Sequence, residues 1–203
     1  SFPTRRSSDL DISTAAQIAR PAKVPLITYS SDAAVAESDV FVMGTAPATA
    51  INRVVGFAGS HGARRFALLY PAGDYGARAK GAFHQSVLKT GGTLVASESY
   101  ERSNTSIISA ARRLKAKGGA DAILIADGGR FAAMAAPQLR GAKSDAPRLL
   151  GTELWSGETV VGSSAALRGA WFAAVSDTRF RQFADSYKAR FGSAPYRVAT
   201  MGY

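Results

Sequence analysis

The sequence predicts an α/β protein in which parallel sheets are flanked by helices. Three observations carry this expectation. Apolar strands begin near Phe66, Leu94 and Ala122, each 28 residues after the one before. Between them the apolar period changes from strand-like to helical, as strand-helix-strand units with right-handed crossovers require. Finally, Gly91-Gly92 and Gly118-Gly119 sit where left-handed caps end the two intervening helices. No residue motif recurs with the spacing, so it marks βαβ units and not a solenoid.

The organising stretch is RFALLYPAGDYGARAKGAF, residues 65–83. Phe66 to Leu69 is apolar on both alternating faces, the pattern of a central strand covered on two sides. A turn with Pro71, Gly73 and Asp74 follows. Tyr75, Ala79, Ala82, Phe83 and Val87 then form one helical stripe.

Before this stretch, residues 12–20 read as the tail of a helix, and Pro21 and Pro25 bracket the turn into the strand VPLIT. The polar cluster Tyr29-Ser30-Ser31-Asp32 follows, then a second short strand from Val40. A loop from Gly44 offers Thr49 as the N-cap of a helix carrying Ile51, Val54, Val55 and Ala58. Downstream, Asn104 or Thr105 can cap the helix bearing Ile107, Ala110, Ala111 and Leu114. Another helix holds Phe131, Met134 and Ala135, and a strand is expected at residues 148–151. The regular rhythm ends after Thr152. An irregular segment leads to an apolar strand at residues 169–176, and Asp177 caps a helix with Phe180, Phe183, Ala184, Tyr187 and Phe191 on one face.

The first ten residues, SFPTRRSSDL, match the in-frame translation of a common sequencing adapter and are set aside. Chain crossings near residues 44–47 and 175–177 then imply two lobes. Residues 11–45 give part of lobe 1, 46–175 give lobe 2, and 176–203 return to lobe 1, so the chain reads as an incomplete fragment.

Composition narrows the function. The 203 residues are 46% hydrophobic and 20% charged, ordinary values for a globular protein. With no cysteine there is no disulfide, thiolate nucleophile or Cys-ligated metal. No apolar run reaches the roughly 20 residues of a membrane-spanning helix. The net charge of +10 comes from residues scattered over several helices, without an aromatic-interleaved stripe, so nucleic acid is not the expected partner. His61 and His84 lack partners at metal-ligand spacing, and no nucleophile elbow, phosphate loop or dinucleotide fingerprint is present. Asp74 and Glu153 share only a sheet edge. No catalytic residue, metal or cofactor is therefore expected.

The residues after each strand are the informative ones. Ser30, Ser31 and Asp32 follow the first strand, and Asp74 and Tyr75 follow the strand at Phe66. Asp127 follows the strand at Ala122, and Glu153 and Trp155 follow the strand near Leu150. In a parallel sheet such ends share one edge, where ligands bind. These eight residues are the candidate binding set, although Asp and Ser at strand ends also cap helices.

VPLITYSSD, VFVMGTAP, the 65–83 stretch, ADAILIADGG and RLLGTELW together resemble type I periplasmic solute-binding proteins of the leucine-binding kind. RLLGTELW, residues 166–203 and VVGFAGSHGARRFALLYP are most similar to penicillin-binding-protein activators, lipoproteins that stimulate a peptidoglycan synthase. The resemblance implies a two-lobed, non-catalytic, periplasmic domain with parallel sheets flanked by helices. A peptidoglycan synthase is then the expected partner, with lipid anchoring to the outer membrane. The alternative is an ABC-transporter substrate-binding protein for a branched-chain-type amino acid or short peptide, with a permease as partner. A repressor's effector-binding core shares the fold, but no helix-turn-helix is visible. In amino-acid-binding members, the positions of Ser30, Ser31 and Asp32 hold the ligand carboxylate, that of Tyr75 lines the site, and that of Glu153 receives the ammonium. Two departures stand out: Asp32 replaces a small hydroxyl residue, and Gly128-Gly129 replace an aromatic side chain.

Overall fold

In the computed structural model, residues 8–30, 33–44, 46–140, 146–174, 176–195 and 199 are described. The chain divides into two compact units, residues 1–46 with 198–203, and residues 47–197.

In the smaller unit, α1 (Ser8–Ala19) precedes β1 (Leu26–Thr28), which pairs in parallel with β2 (Val40–Val42). Arg20 ties the two ends of this segment together. Its Nε donates to Asp39 Oδ2 and its Nη2 to Glu37 Oε2, each at 2.6 Å.

The larger unit opens with α2 (Pro47–Ser60), β3 (Arg65–Pro71), α3 (Asp74–Lys89) and β4 (Thr93–Tyr100). It continues through α4 (Asn104–Lys117), β5 (Ala122–Ile125), α5 (Gly129–Arg140) and β6 (Arg148–Gly151). A single-turn α6 (Thr159–Ser163), the two-residue β7 (Trp171–Phe172) and α7 (Asp177–Phe191) complete it. Thus α7 lies with residues 47–197, and the chain returns to the smaller unit only after it. The five strands pair in parallel in the order β4-β3-β5-β6-β7.

Strict alternation along the strands places apolar side chains on both sheet faces. Ala67, Leu69, Ile123, Ile125 and Leu149 pack with Ile107, Leu114, Ala132 and Leu139 of α4 and α5. Phe66, Leu68, Ala122, Leu124 and Leu150 pack on the other face with Ile51, Val55, Phe83 and Val87 of α2 and α3. Because α3 and α4 cover opposite faces, the chain moves outward from β3 to β4 and then crosses back to β5. The carboxyl ends of β3 and β5 therefore flank the point where strand order reverses, the usual ligand crevice of open α/β sheets.

Several local expectations are corrected. α2 starts at Pro47 and not after Thr49, because proline at the first helical turn has a preset φ and needs no N–H there. Ser103, and not Asn104 or Thr105, caps α4, its side chain accepting from Ser106 N–H. Ser103→Ala should cost about 1 kcal/mol in a urea titration, the usual value of an N-cap. Ser176, not Asp177, is the N-cap residue of α7, and the expected strand at 169–176 shrinks to Trp171–Phe172 at the sheet edge.

Candidate functional site

Side chains from the carboxyl ends of four strands, β3, β4, β5 and β6, form the polar edge at the switch point. Tyr75 stands in the first turn of α3, directly after β3. Its hydroxyl lies 3.5 Å from Thr152 Oγ1, beyond β6. Burial is the main cause that pushes the Tyr75 phenol up to about 12, and the charges of Glu153 and Asp127 add to it.

Asp127, just past β5, is 4% exposed. Its Oδ2 accepts from the Tyr100 hydroxyl at 2.7 Å and from Arg102 Nε at 3.2 Å. Its Oδ1 accepts from its neighbour Gly128 N–H at 2.8 Å and from Arg102 Nη2 at 3.3 Å. Both oxygens are committed to the protein, so this carboxylate organises the edge. Burial first, then Asp127, raise the Tyr100 phenol far above its ordinary range. Tyr100 reaches Asp127 across the end of β3, since β4 and β5 are two strands apart, roughly 10 Å. Asp127→Asn should destabilise the fold by about 2 kcal/mol, because the buried Tyr100 hydroxyl and Arg102 lose their charged acceptor. Chemical denaturation reads this loss.

The segment after β6 closes the edge from one side. Thr152, fully buried, caps the short helix at Glu153–Trp155 by accepting from Leu154 N–H at 3.4 Å. Trp155 is 1% exposed, and its Nε1 donates to the Asp127 carbonyl at 2.9 Å. Its indole lies on the backbone of Gly151, where a Cβ would come within 2.2 Å of the ring. Glu158 reaches the start of α5, accepting from Gly129 N–H and Arg130 N–H at 3.1 Å each. A carboxylate there satisfies two otherwise orphaned donors and complements the helix dipole. This packing explains why Gly129 carries no side chain. A Cβ on Gly129 would meet Val161 at 2.4 Å, so the segment carrying Trp155, Glu158 and Val161 occupies the adjoining space.

Glu153 is different from its neighbours. Its Oε2 is buried and receives no hydrogen bond from the described residues, and the same holds for Ser156 Oγ one turn on. The two residues are joined through the backbone, Ser156 N–H donating to the Glu153 carbonyl at 2.9 Å. Burial drives the Glu153 carboxyl above its ordinary value, with its own backbone N–H acting weakly against it. A half-buried carboxylate with one oxygen that no described residue donates to is a site for an incoming N–H group.

Of the eight sequence candidates, the structure brings Tyr75, Asp127, Glu153 and Trp155 to this edge. Asp127 and Trp155 are spent on internal bonds, and Asp74 is an exposed residue opening α3. Ser30 is in the smaller unit, its N–H donating to Thr28 Oγ1 at 3.2 Å. Ser31 and Asp32 lie outside the described residues. The sequence reading passed over Tyr100, Arg102, Thr152 and Glu158. Tyr100 and Arg102 had a visible signal, since they follow β4 as Tyr75 follows β3. Glu158 had none, because its role depends on folding back 28 residues to α5.

Comparison with solved structures places the fold. A Rhodospirillum rubrum protein, itself provisionally described as a branched-chain amino acid ABC transporter, matches with a TM-score of 0.74 at 20% identity over 93% of this chain. A Streptococcus pneumoniae branched-chain amino acid transporter substrate-binding protein, solved with isoleucine, matches with 0.64 at 22% identity over 94%. An ABC-transporter solute-binding protein from Rhodopseudomonas palustris, solved with 3,4-dihydroxybenzoic acid, matches with 0.66 at 21% identity over 95%. This chain covers 57%, 57% and 56% of their respective lengths. A search of curated proteins finds no match. The α/β architecture with parallel sheets flanked by helices is that of the type I periplasmic binding proteins. The family's sequence profile, described as periplasmic binding protein, matches residues 7–203. With the whole of its described fold inside that match, the chain belongs to the periplasmic binding protein family.

Proposed function

We propose that the protein is the ligand-binding component of an ABC transporter, working without catalysis in the periplasm and passing an amino acid or short peptide to a permease. The carrying observation is Glu153, whose buried Oε2 lacks a donor among the described residues and whose charge is felt at the Tyr75 phenol. A ligand ammonium supplies the missing hydrogen bonds and the counter-charge together, which makes the interaction far stronger than a neutral one. The solved relatives named above are transport proteins, which supports this reading over the penicillin-binding-protein activator that RLLGTELW and residues 166–203 resemble. The activator reading, with its peptidoglycan synthase partner and lipid anchor, has no support beyond those sequence segments.

Two ligands carried by those relatives separate the chemistries. Isoleucine has an ammonium group, whereas 3,4-dihydroxybenzoate has none. Isoleucine, leucine and short peptides should raise the melting temperature of the protein, and dihydroxybenzoate should not. A ligand at 100 times its Kd adds about 2.7 kcal/mol. Stabilisation by the benzoate and by none of the amines would overturn the assignment of Glu153.

A further inference from the structure

The opposite, amino-terminal end of the same sheet holds a cavity of about 380 Å³, lined by Ala58, His61, Gly62, Ala63, Asp121, Ala146, Arg148 and Trp171. Asp121 and Asp127 bracket β5, six residues apart, so the two ends are separated by roughly 20 Å. The cavity's size falls in the range of small-ligand sites.

Its chemistry is specific. One side is aromatic: the His61 ring lies 4.0 Å from Phe57, and Trp171 meets Phe57 and His61 edge-on at 4.9 and 5.3 Å. Arg148 caps Trp171 with its guanidinium 4.6 Å from the ring centre, while its Nη1 donates to the Gly169 carbonyl at 2.6 Å. His61 Nδ1 is 2.8 Å from the Phe57 carbonyl and 3.2 Å from Ser60 Oγ; the carbonyl can only accept, and Ser60 Oγ itself donates to it, so the arrangement suits the tautomer with the proton on Nδ1. In that tautomer of the neutral ring Nε2 is an acceptor. Asp121 Oδ2 accepts from Arg64 N–H and Arg65 N–H at 2.8 Å each, leaving Oδ1 with no donor among the described residues. Small residues, Ala58, Gly62, Ala63 and Ala146, leave room for a flat group.

We propose that this cavity is a second binding site, independent of the switch-point edge, for a small planar heteroaromatic molecule bearing amine or ring N–H groups, such as a free nucleobase. The aromatic side suits a flat ring, and His61 Nε2 and Asp121 Oδ1 accept its N–H groups. Asp121 disfavours an anion, and Arg148 disfavours a full cation, so the ligand is neutral.

Tryptophan fluorescence tests this directly. The protein has two tryptophans, and Trp155 is buried, so contact quenching reports Trp171. Adenine and cytosine serve as probes. Saturable quenching by at least one is expected, abolished in Trp171→Phe and weakened about tenfold in His61→Ala, which loses a ring contact and an acceptor. Ala146→Leu, which fills the cavity without removing a polar group, should also abolish it. Glu153→Gln should leave it unchanged, which separates this site from the amino-acid site. Far-ultraviolet circular dichroism confirms that each variant is folded. Quenching that rises linearly without saturation, no quenching by either base, or equal curves for His61→Ala and the parent would overturn the proposal.

Discussion

Glu153→Gln is expected to weaken isoleucine or leucine binding about a hundredfold, as measured by titration calorimetry. Truncating one partner of a desolvated, hydrogen-bonded charge pair typically costs 2–5 kcal/mol, or about 30-fold to several thousandfold. Glutamine keeps the shape of the side chain and removes only the charge, so packing against the segment from Thr152 to Glu158 is retained. The effect should carry a pH signature. Burial raises the folded-state value of Glu153 above its unfolded value. Folding thus disfavours the ionised form of Glu153 relative to the unfolded chain. Its contribution to stability is fully present below the ordinary glutamate range, about 4.3, and is lost as pH rises through the raised folded value. An ammonium ligand needs the ionised form. Affinity should therefore climb with pH through that same window, and Glu153→Gln should flatten the climb. A pH-independent affinity in the parent protein would show that the ligand bypasses this carboxylate.

Trp155→Ala is expected to produce the largest loss of stability, about 4 kcal/mol. Trp155 is 1% exposed, lies on the Gly151 backbone, and holds the loop after β5 through the Asp127 carbonyl. Removing it leaves a large void and an unsatisfied buried carbonyl at once. For a chain of this length the melting temperature should fall by about 10 °C in a calorimetric scan. The reciprocal change, Gly151→Ala, drives a methyl group into the indole and should destabilise through the same contact. Because the two share one contact, their costs should combine less than additively in the double variant.

The same segment shows how far a sequence can be read. Trp155 and Glu153 were visible as residues following a strand, but nothing in their spacing distinguished their fates. Trp155 turns into the core and Glu153 does not, because the short helix at residues 153–155 fixes their directions, and its start depends on Thr152. Likewise Asp127 read as a ligand group. Its full set of donors comes from Tyr100 and Arg102 on β4 and the turn after it, a pairing that exists only once β4 and β5 flank β3. Thr49 and Asn104 were sound cap residues by type, yet Pro47 and Ser103 begin those helices, since boundaries are decided by a residue or two of competing local preference.

Alternation and helical period, both local properties, were enough to determine the parallel α/β layering, the strands at Phe66, Leu94 and Ala122, and the helices between them. They were also enough to place Tyr75 and Glu153 at strand ends, because a strand's direction fixes which of its termini carries the next turn. Only the tertiary structure decided that Asp127 is consumed internally while Glu153 keeps a bare oxygen. Hydrogen-bond satisfaction is a property of groups meeting across strands and loops, and no one-dimensional period encodes which donor arrives.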